Sequence, residues 1–343
     1  MGIFTNSNDF IGIDVGSNAI RLVQLKKVGD KYSLVSFGSA QLPPNVSQSD
    51  SKLDMQKVAQ VMQQLVKSSK VSTKSVVTAL PGSAVFSTVI KMPPMSQSEL
   101  SQAVKYQAEQ NIPLKVEDVR IDWQIVRKNN ETGESAVMVV AAPKAKVERT
   151  MELFGMAELD VVYLETTPIA TARALSKTSD PLFMIVDIGG SKTELSIVEN
   201  GVVSHVRTMP SAGYAMTRSI AQNLGLDSTQ AEQFKLKFGL SQDKLEGQVL
   251  KSMRPILGTI TDEIQRSIKF YQEQYGNNVG RIVLTGGGSR MPELTSYLKS
   301  ILNIEVVYGN PWGRIVFQPE LTEKLNGNAA EFACAVGLAM REN

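Results

Sequence analysis

One cysteine and one histidine are all that 343 residues hold of the two side chains most often used to ligate zinc. Cys334 has no partner for an internal disulfide, which fits a reducing compartment. It stands in the apolar helical run Ala333-Cys334-Ala335-Val336 and reads as a core thiol. His205 stands in the strand pattern Val202-Val203-Ser204-His205-Val206, with no second histidine and no cysteine cluster to complete a zinc site. A surplus of one charge is also missing: 36 Lys and Arg face 34 Asp and Glu, for a net charge of +2. No basic block stands out, so nothing marks a nucleic-acid surface. No apolar run reaches the length needed to span a bilayer. The stretch Met1-Gly2-Ile3-Phe4-Thr5-Asn6 has no signal-peptide hydrophobic region and reads as a frayed end. The length itself admits a large core and two domains.

What is present is a repeated motif. Ile11-Gly12-Ile13-Asp14-Val15-Gly16-Ser17 has a second copy in Met184-Ile185-Val186-Asp187-Ile188-Gly189-Gly190-Ser191. In each, a buried-strand pattern stops at an aspartate, and glycine and a small hydroxyl residue follow. A second apolar run comes next, Ala19–Leu25 in one copy and Thr193–Val198 in the other, so each copy reads as a β-hairpin. Backbone N–H groups and hydroxyls in such a turn can hold phosphate oxygens. A nearby carboxylate suits the waters of Mg²⁺. One Asp-x-Gly-Ser turn is ordinary loop chemistry; two, joined by the strand–turn–helix pattern Arg281-Ile282-Val283-Leu284-Thr285-Gly286-Gly287-Gly288-Ser289-Arg290-Met291-Pro292, form a set. Three consecutive glycines carry an entropic cost that makes sense where something must pass close to them.

Between these motifs the pattern alternates strands and helices. Three strands cover Ile11–Gln41, with Leu42-Pro43-Pro44-Asn45 closing that sheet. Asp50 or Ser51 caps a helix over Leu53–Ser69, and Ser75–Leu80 is a strand ended by Pro81-Gly82. Residues 83–155 read as an inserted β-α-β-β-α module, in which Ser96 and Glu99 form a capping box and Asn129–Glu134 a turn. A helix over Pro168–Lys177 follows the strand Val161–Leu164. After the second hairpin, helices are expected over Tyr214–Leu224 and Thr229–Phe238, then Asp243–Gln274 with a bend near Pro255. Met291–Leu302 and Ala329–Met340 complete the helices. Glu232 and Lys235 share one helix face. The bare reading of them is a surface ion pair.

With these residues on the page, the chain resembles the actin-like ATPase superfamily, which includes sugar kinases, heat-shock chaperones, MreB and FtsA. Asp14-Val15-Gly16-Ser17 looks like its first phosphate loop, Asp187-Ile188-Gly189-Gly190-Ser191-Lys192-Thr193 like its second, and Gly286–Pro292 like its adenosine loop. The resemblance implies an α/β chain: an actin-like (ribonuclease H-like) duplicated two-lobe fold with an inserted small α+β subdomain of the FtsA/PilM kind. The expected parts are 1–82, first lobe; 83–155, inserted subdomain; 156–180, return to the first lobe; 181–325, second lobe; and 326–343, a C-terminal helix packing back on the first lobe. Within the superfamily the position of the insertion and the run from Ile11 into Arg21-Leu22-Val23-Gln24-Leu25 most resemble the PilM family of type IV pilus assembly proteins. FtsA usually runs on to an amphipathic membrane helix, whereas this chain stops at Arg341-Glu342-Asn343, directly after a core-like helix.

Family resemblance then implies ATP and Mg²⁺ between two lobes, with Asp14 and Asp187 holding the metal through water. Gly16, Ser17, Asn18, Gly189, Gly190, Ser191, Lys192 and Thr193 are the implied phosphate contacts, and Arg21 stands where relatives often have Lys. Gly213, Glu232, Lys235, Gly286, Gly287, Gly288, Arg290 and Met291 are the implied contacts to the nucleoside. Glu263, Arg266 and Ser267 fall where some relatives touch adenine, or form a plain surface. One departure concerns turnover. Where MreB-like ATPases place a water-positioning Glu before a Pro, this chain has Thr167 before Pro168, with Glu165 two positions earlier. A positioned base contributes roughly 10² to 10⁴ in rate, so Glu165 and Thr167 are weak catalytic candidates and hydrolysis is expected to be slow or absent. The implied role is a cytoplasmic adaptor, peripheral at the inner face of the inner membrane. It docks the N-terminal tail of a PilN-like inner-membrane protein and links it to pilus motor ATPases and the platform protein. The alternative is an actin-like filament protein of FtsA/MreB type, and a small-molecule kinase is a third reading.

Overall fold

The computed structural model describes residues 9–43, 46–129 and 131–342. The readings at Met1–Asn6, at Pro44-Asn45, at Asn130 and at Asn343 lie outside the described residues. In chain order the elements are β1 Ile11–Val15, β2 Ala19–Val28, β3 Lys31–Gln41, α1 Lys52–Ser69, β4 Ser75–Leu80, β5 Phe86–Met92, α2 Gln97–Asn111, β6 Val119–Lys128, β7 Ser135–Pro143 and α3 Lys144–Met156. Then follow β8 Asp160–Thr166, α4 Thr167–Leu175, β9 Phe183–Ile188, β10 Thr193–Glu199, β11 Val202–Met209, α5 Gly213–Leu224, α6 Ser228–Phe238 and α7 Gln248–Tyr275. The chain closes with β12 Arg281–Thr285, α8 Leu294–Leu302, β13 Glu305–Tyr308, β14 Ile315–Val316, α9 Thr322–Gly327 and α10 Ala333–Ala339.

The chain forms two compact units, one made of the residues up to Leu80, Glu148–Ala174 and those from Pro311 on, the other of Pro81–Val147 and Leu175–Asn310. In the first, the sheet order is β14-β3-β2-β1-β4-β8. In the second it is β11-β10-β9-β12-β13. Leaving out the two-residue β14, both sheets have the same plan: two antiparallel pairings from the hairpin, then two parallel ones. The sequence repeat is therefore a repeat of topology, which makes this a duplicated α/β fold of the actin-like kind. The first core gathers Ile11, Ile13, Ile20 and Leu22 with Val58, Met62 and Leu65 of α1, and Phe154 near the end of α3. The second gathers Met184, Val186, Leu195 and Ile197 with Met216, Ile220, Leu257 and Ile264.

The segment 83–155 divides at α3. Its three-stranded sheet, ordered β5-β7-β6, has its own small core of Ile90, Leu100, Val104, Val137 and Val139 and belongs to the second unit. The last turns of α3 bring Phe154 into the first core instead. The capping box is present in full, with Ser96 accepting from the Glu99 amide and Glu99 accepting from the Ser96 amide. Asp227 makes a second one with Gln230.

Three helix starts differ from expectation. The long helix begins at Gln248, not Asp243, because Leu245 (φ 49), Glu246 (φ 52) and Gly247 (φ 68) are left-handed in succession and cannot continue a right-handed helix. Glycine 247 reads as an interior residue in the sequence but occupies the cap. The helix expected from Met291 begins at Leu294, since the glycine turn continues as a short 3₁₀ turn over Gly287–Arg290 and Glu293 sits at φ 64. The expected Ala329–Met340 helix opens as a 3₁₀ turn before α10. All seven residues of α10 are buried, Cys334 among them.

Candidate functional site

The two hairpin turns are built alike. Gly16 N–H donates to the Ala19 carbonyl at 3.0 Å, and Gly189 N–H donates to the Lys192 carbonyl at 3.0 Å. A Cβ at either glycine would stand 3.0 Å from that same carbonyl, closer than ordinary packing allows. A side chain at either position would press on the turn, so glycine suits both copies. Each aspartate is the next-to-last residue of its hairpin's first strand, and each faces a charged residue across the hairpin. Asp14 pairs in register with Arg21, Asp187 with Glu194.

In the first unit, Asp14, Gly16 and Ser17 are half-buried and Asn18 is exposed. The Asn18 carbonyl accepts from the Leu42 amide at 2.8 Å and the Ser17 carbonyl from Ser47 Oγ at 3.3 Å, which ties the turn to the chain beyond β3. Arg21 forms an ion pair with Glu331, and its buried Nε has no hydrogen-bond partner. The sequence offered no sign of Glu331, which arrives from 310 positions away.

The second unit assembles the larger part of the candidate set. Gly189 and Gly190 turn their carbonyls to the start of α5, accepting from Gly213 N at 3.1 Å and Tyr214 N at 2.7 Å. Ser191 and Lys192 stay half-buried on the loop, and Lys192 Nζ lies 3.1 Å from Ser83 Oγ. Thr193 is wholly buried and donates its hydroxyl to the Ser211 carbonyl at 2.6 Å, so it braces the loop from behind. Lys235 is 4 % exposed, and its ammonium donates to Glu232 (2.7 Å), Thr217 Oγ1 (2.9 Å) and the Gly213 carbonyl (3.2 Å). Burial pushes the Lys235 pKa down, and Glu232 opposes the shift. The bare reading of this pair as a surface contact does not hold for Lys235, which has been drawn inside.

The triple glycine divides by role. Gly286, at φ 82, admits no side chain, because a Cβ there would overlap the Asp187 carboxylate and the Ile188 carbonyl. A Cβ on Gly288 would overlap the Ile188 side chain, whereas one on Gly287 would meet nothing within 4 Å. Two of the three glycines therefore serve the packing of this turn on the Asp187 loop, and Gly287 leaves open space. Arg290 is exposed, and Met291 is fully buried in the core. Glu263 and Arg266 pair with each other at 2.6 Å on α7; Ser267 is buried, its hydroxyl without a partner.

The catalytic candidates are both engaged. Glu165 accepts from Arg173 through both oxygens, at 2.7 and 2.6 Å, and from Arg341 at 3.1 Å. Thr167 donates its hydroxyl to the Leu80 carbonyl at 3.3 Å. His205 packs its ring 5.2 Å from that of Phe270, and its buried Nε2 has no partner. Burial, with Arg207 nearby, pushes its pKa down to about 4.

The residues suit a polyphosphate nucleoside better than a directly ligated metal. A half-buried Gly-Gly-Ser-Lys turn supplies cationic and neutral donors, the Glu232 carboxylate beside the sequestered Lys235 is an acceptor, and Gly287 leaves open space. Among the described residues no three His, Cys, Asp or Glu side chains gather as a metal cage. Asp14 and Asp187 are single carboxylates, one in each unit.

Comparison with known proteins places this arrangement. The family model of the type IV pilus assembly protein PilM matches residues 12–343. A chain of the solved PilM–PilN type IV pilus biogenesis complex is 30% identical, with a TM-score of 0.84, over 97% of this chain and 98% of that one. MreB5 of Spiroplasma citri bound to AMPPNP shares the fold at 13% identity and a TM-score of 0.52, over 97% of this chain and 95% of that one. The cell division protein FtsA of Neisseria meningitidis serogroup B is 22% identical over 87% of this chain and 83% of its own length.

Proposed function

This chain belongs to the PilM family of type IV pilus assembly proteins, and from that membership we propose that it is a nucleotide-binding adaptor that docks the N-terminal tail of a PilN-like inner-membrane protein. The observation that carries the proposal is the likeness to the PilM–PilN complex over nearly the whole of both chains. The tail binds as an extended peptide in a groove at the inserted module. The protein works in the cytoplasm, at the inner face of the inner membrane, and links the membrane complex to the motor ATPases and platform protein. No helix among the described residues is long and apolar enough to cross a membrane.

The nucleotide we propose is ATP with Mg²⁺. Gly189, Gly190, Ser191 and Lys192 hold phosphate in the second unit, as Gly16, Ser17, Asn18 and Arg21 do in the first. Thr193 positions the loop from behind. Glu232, Lys235, Gly213 and Gly287 receive the nucleoside, and Arg290 borders it. Gly286, Gly288 and Met291 shape the turn. Asp14 and Asp187 are the carboxylates for metal-bound water. Bound Mg-ATP would supply a concentrated negative charge, and the chain's own groups bind and orient it. Turnover is slow or absent, because Glu165 is already committed to two arginines and Thr167 lacks a carboxylate.

Calorimetry with a synthetic peptide of the first residues of the PilN-like protein, with and without Mg-ATP, tests the proposal. Micromolar or tighter binding that a scrambled peptide loses supports it. Failure of folded protein to bind the peptide sinks it. The FtsA likeness keeps a filament reading in view; sedimentation with ATP separates the two, since an adaptor stays in the supernatant.

A further inference from the structure

An ammonium has three N–H groups to give, and Lys235 gives all of them inside the protein. They go to Glu232 Oε2 at 2.7 Å, Thr217 Oγ1 at 2.9 Å and the Gly213 carbonyl at 3.2 Å. With its donors spent and the residue 4 % exposed, Lys235 keeps nothing to offer a ligand. Thr217, on α5, closes the set. Its hydroxyl lies 2.5 Å from the same Glu232 Oε2 and 2.9 Å from the Gly213 carbonyl. It accepts from the ammonium and gives its own proton to the carboxylate, which is the nearer acceptor and the charged one. Both bonds to Glu232 therefore end on one oxygen. Among the described residues Oε1 accepts from none, and the Glu232 side chain is 40 % exposed. Gly213 is the foot of the arrangement. Its amide donates to the Gly189 carbonyl at 3.1 Å, and a Cβ on it would crowd Lys235 Nζ at 3.3 Å.

We infer that Lys235 and Thr217 form a buried clamp that holds the Glu232 carboxylate by Oε2 and presents Oε1 as the acceptor for a hydrogen-bond donor of the bound nucleoside. The inference rests on the nucleotide-binding reading and deepens it. Lys235 takes part in the site through Glu232, and Thr217, which no motif marks, is a positioning residue. An ionised carboxylate only accepts, so the ligand group it selects is a donor. On ATP that group is a ribose hydroxyl or the adenine amino group. Holding the carboxylate in place before the ligand arrives spares the side-chain ordering that binding would otherwise cost.

Calorimetry on the full chain with Mg²⁺ tests the clamp, using ATP, its 2′-deoxy and 3′-deoxy forms and inosine triphosphate. The deoxy forms each lack one ribose hydroxyl, and inosine triphosphate lacks the amino group. In the wild type, the analogue without the donor that Glu232 takes binds about tenfold more weakly than ATP, the effect of one hydrogen bond to a charged group. Which analogue this is identifies the donor. In Thr217→Val, ATP weakens by about fivefold and the penalty for that analogue shrinks to about threefold. Thr217→Ser, which keeps the hydroxyl, restores both, and Glu232→Ala removes the penalty. A merely structural loss in Thr217→Val would weaken all the nucleotides alike and leave their ratios unchanged, which overturns the clamp. Were Lys235 itself the contact, Thr217→Val would free one of its N–H groups and ATP would bind as tightly or more so, which overturns it too. A wild type that binds all the nucleotides equally overturns the inference while sparing the nucleotide reading. Folded wild type that binds none of them overturns both.

Discussion

His205 shows how a single side chain can set a pH dependence that has nothing to do with chemistry. Its ring lies against Phe270, its Nε2 has no partner, and Arg207 and Glu263 are the charged groups that act on it, lowering and raising its pKa respectively. The folded pKa of about 4 lies below the ordinary 6.5. The unfolded chain therefore binds the proton first, so this stability is complete above pH 6.5 and is lost as pH falls toward 4. The full loss is about 3 kcal/mol. Urea unfolding of wild type and His205→Phe at pH 7 and pH 5 should show the wild type losing stability with acid and the variant losing less. Glu165 makes the complementary case. Its two arginines are held by it, so Glu165→Gln should destabilise the fold by about 3 kcal/mol, as breaking a buried ion pair does. A base would behave otherwise, with hydrolysis falling at unchanged stability, and comparing the two readouts decides between them.

At the scale of elements, local grammar was legible and packing was not. The capping box at Ser96 and Glu99 is a short-range pattern and was read outright, as were the two glycine turns. The left-handed run Leu245-Glu246-Gly247 carries no such signal, because leucine and glutamate ordinarily favour helix. Helix α10 is the sharpest case of packing. Ala170 of α4 comes so close to Gly337 that a Cβ there would overlap its carbonyl oxygen. Gly337→Ala raises helix propensity yet should cost about 3 kcal/mol or more through overpacking, read as a lower urea midpoint with the slope unchanged.

For the whole molecule, the decisive fact is where the inserted module is carried. By sequence it interrupts the first lobe; by structure its sheet belongs to the second unit, pinned by Arg127 to Glu199. Arg127→Met leaves a buried carboxylate facing Tyr271 and Asn277 and should destabilise by about 3 kcal/mol, while Arg127→Met with Glu199→Met should recover most of that loss. Equilibrium unfolding of the two single variants and the double variant measures it. A loss in the double variant equal to the sum of the singles would show the pair to be uncoupled.

The sequence alone determined the duplicated α/β plan, the two aspartate turns, the triple-glycine turn and the family, because each is written in short spacings of glycine, aspartate and β-branched residues. It could not tell how the candidate residues are packed and held. That Thr193 and Met291 are buried, that two of three glycines serve a neighbouring loop, that Arg21 is met by Glu331 and Glu165 by Arg341, and that Lys192 reaches Ser83 follow only from the folded chain. These contacts join residues about a hundred to more than three hundred positions apart, where no periodicity reaches and only the packing of whole sheets and helices selects the partner.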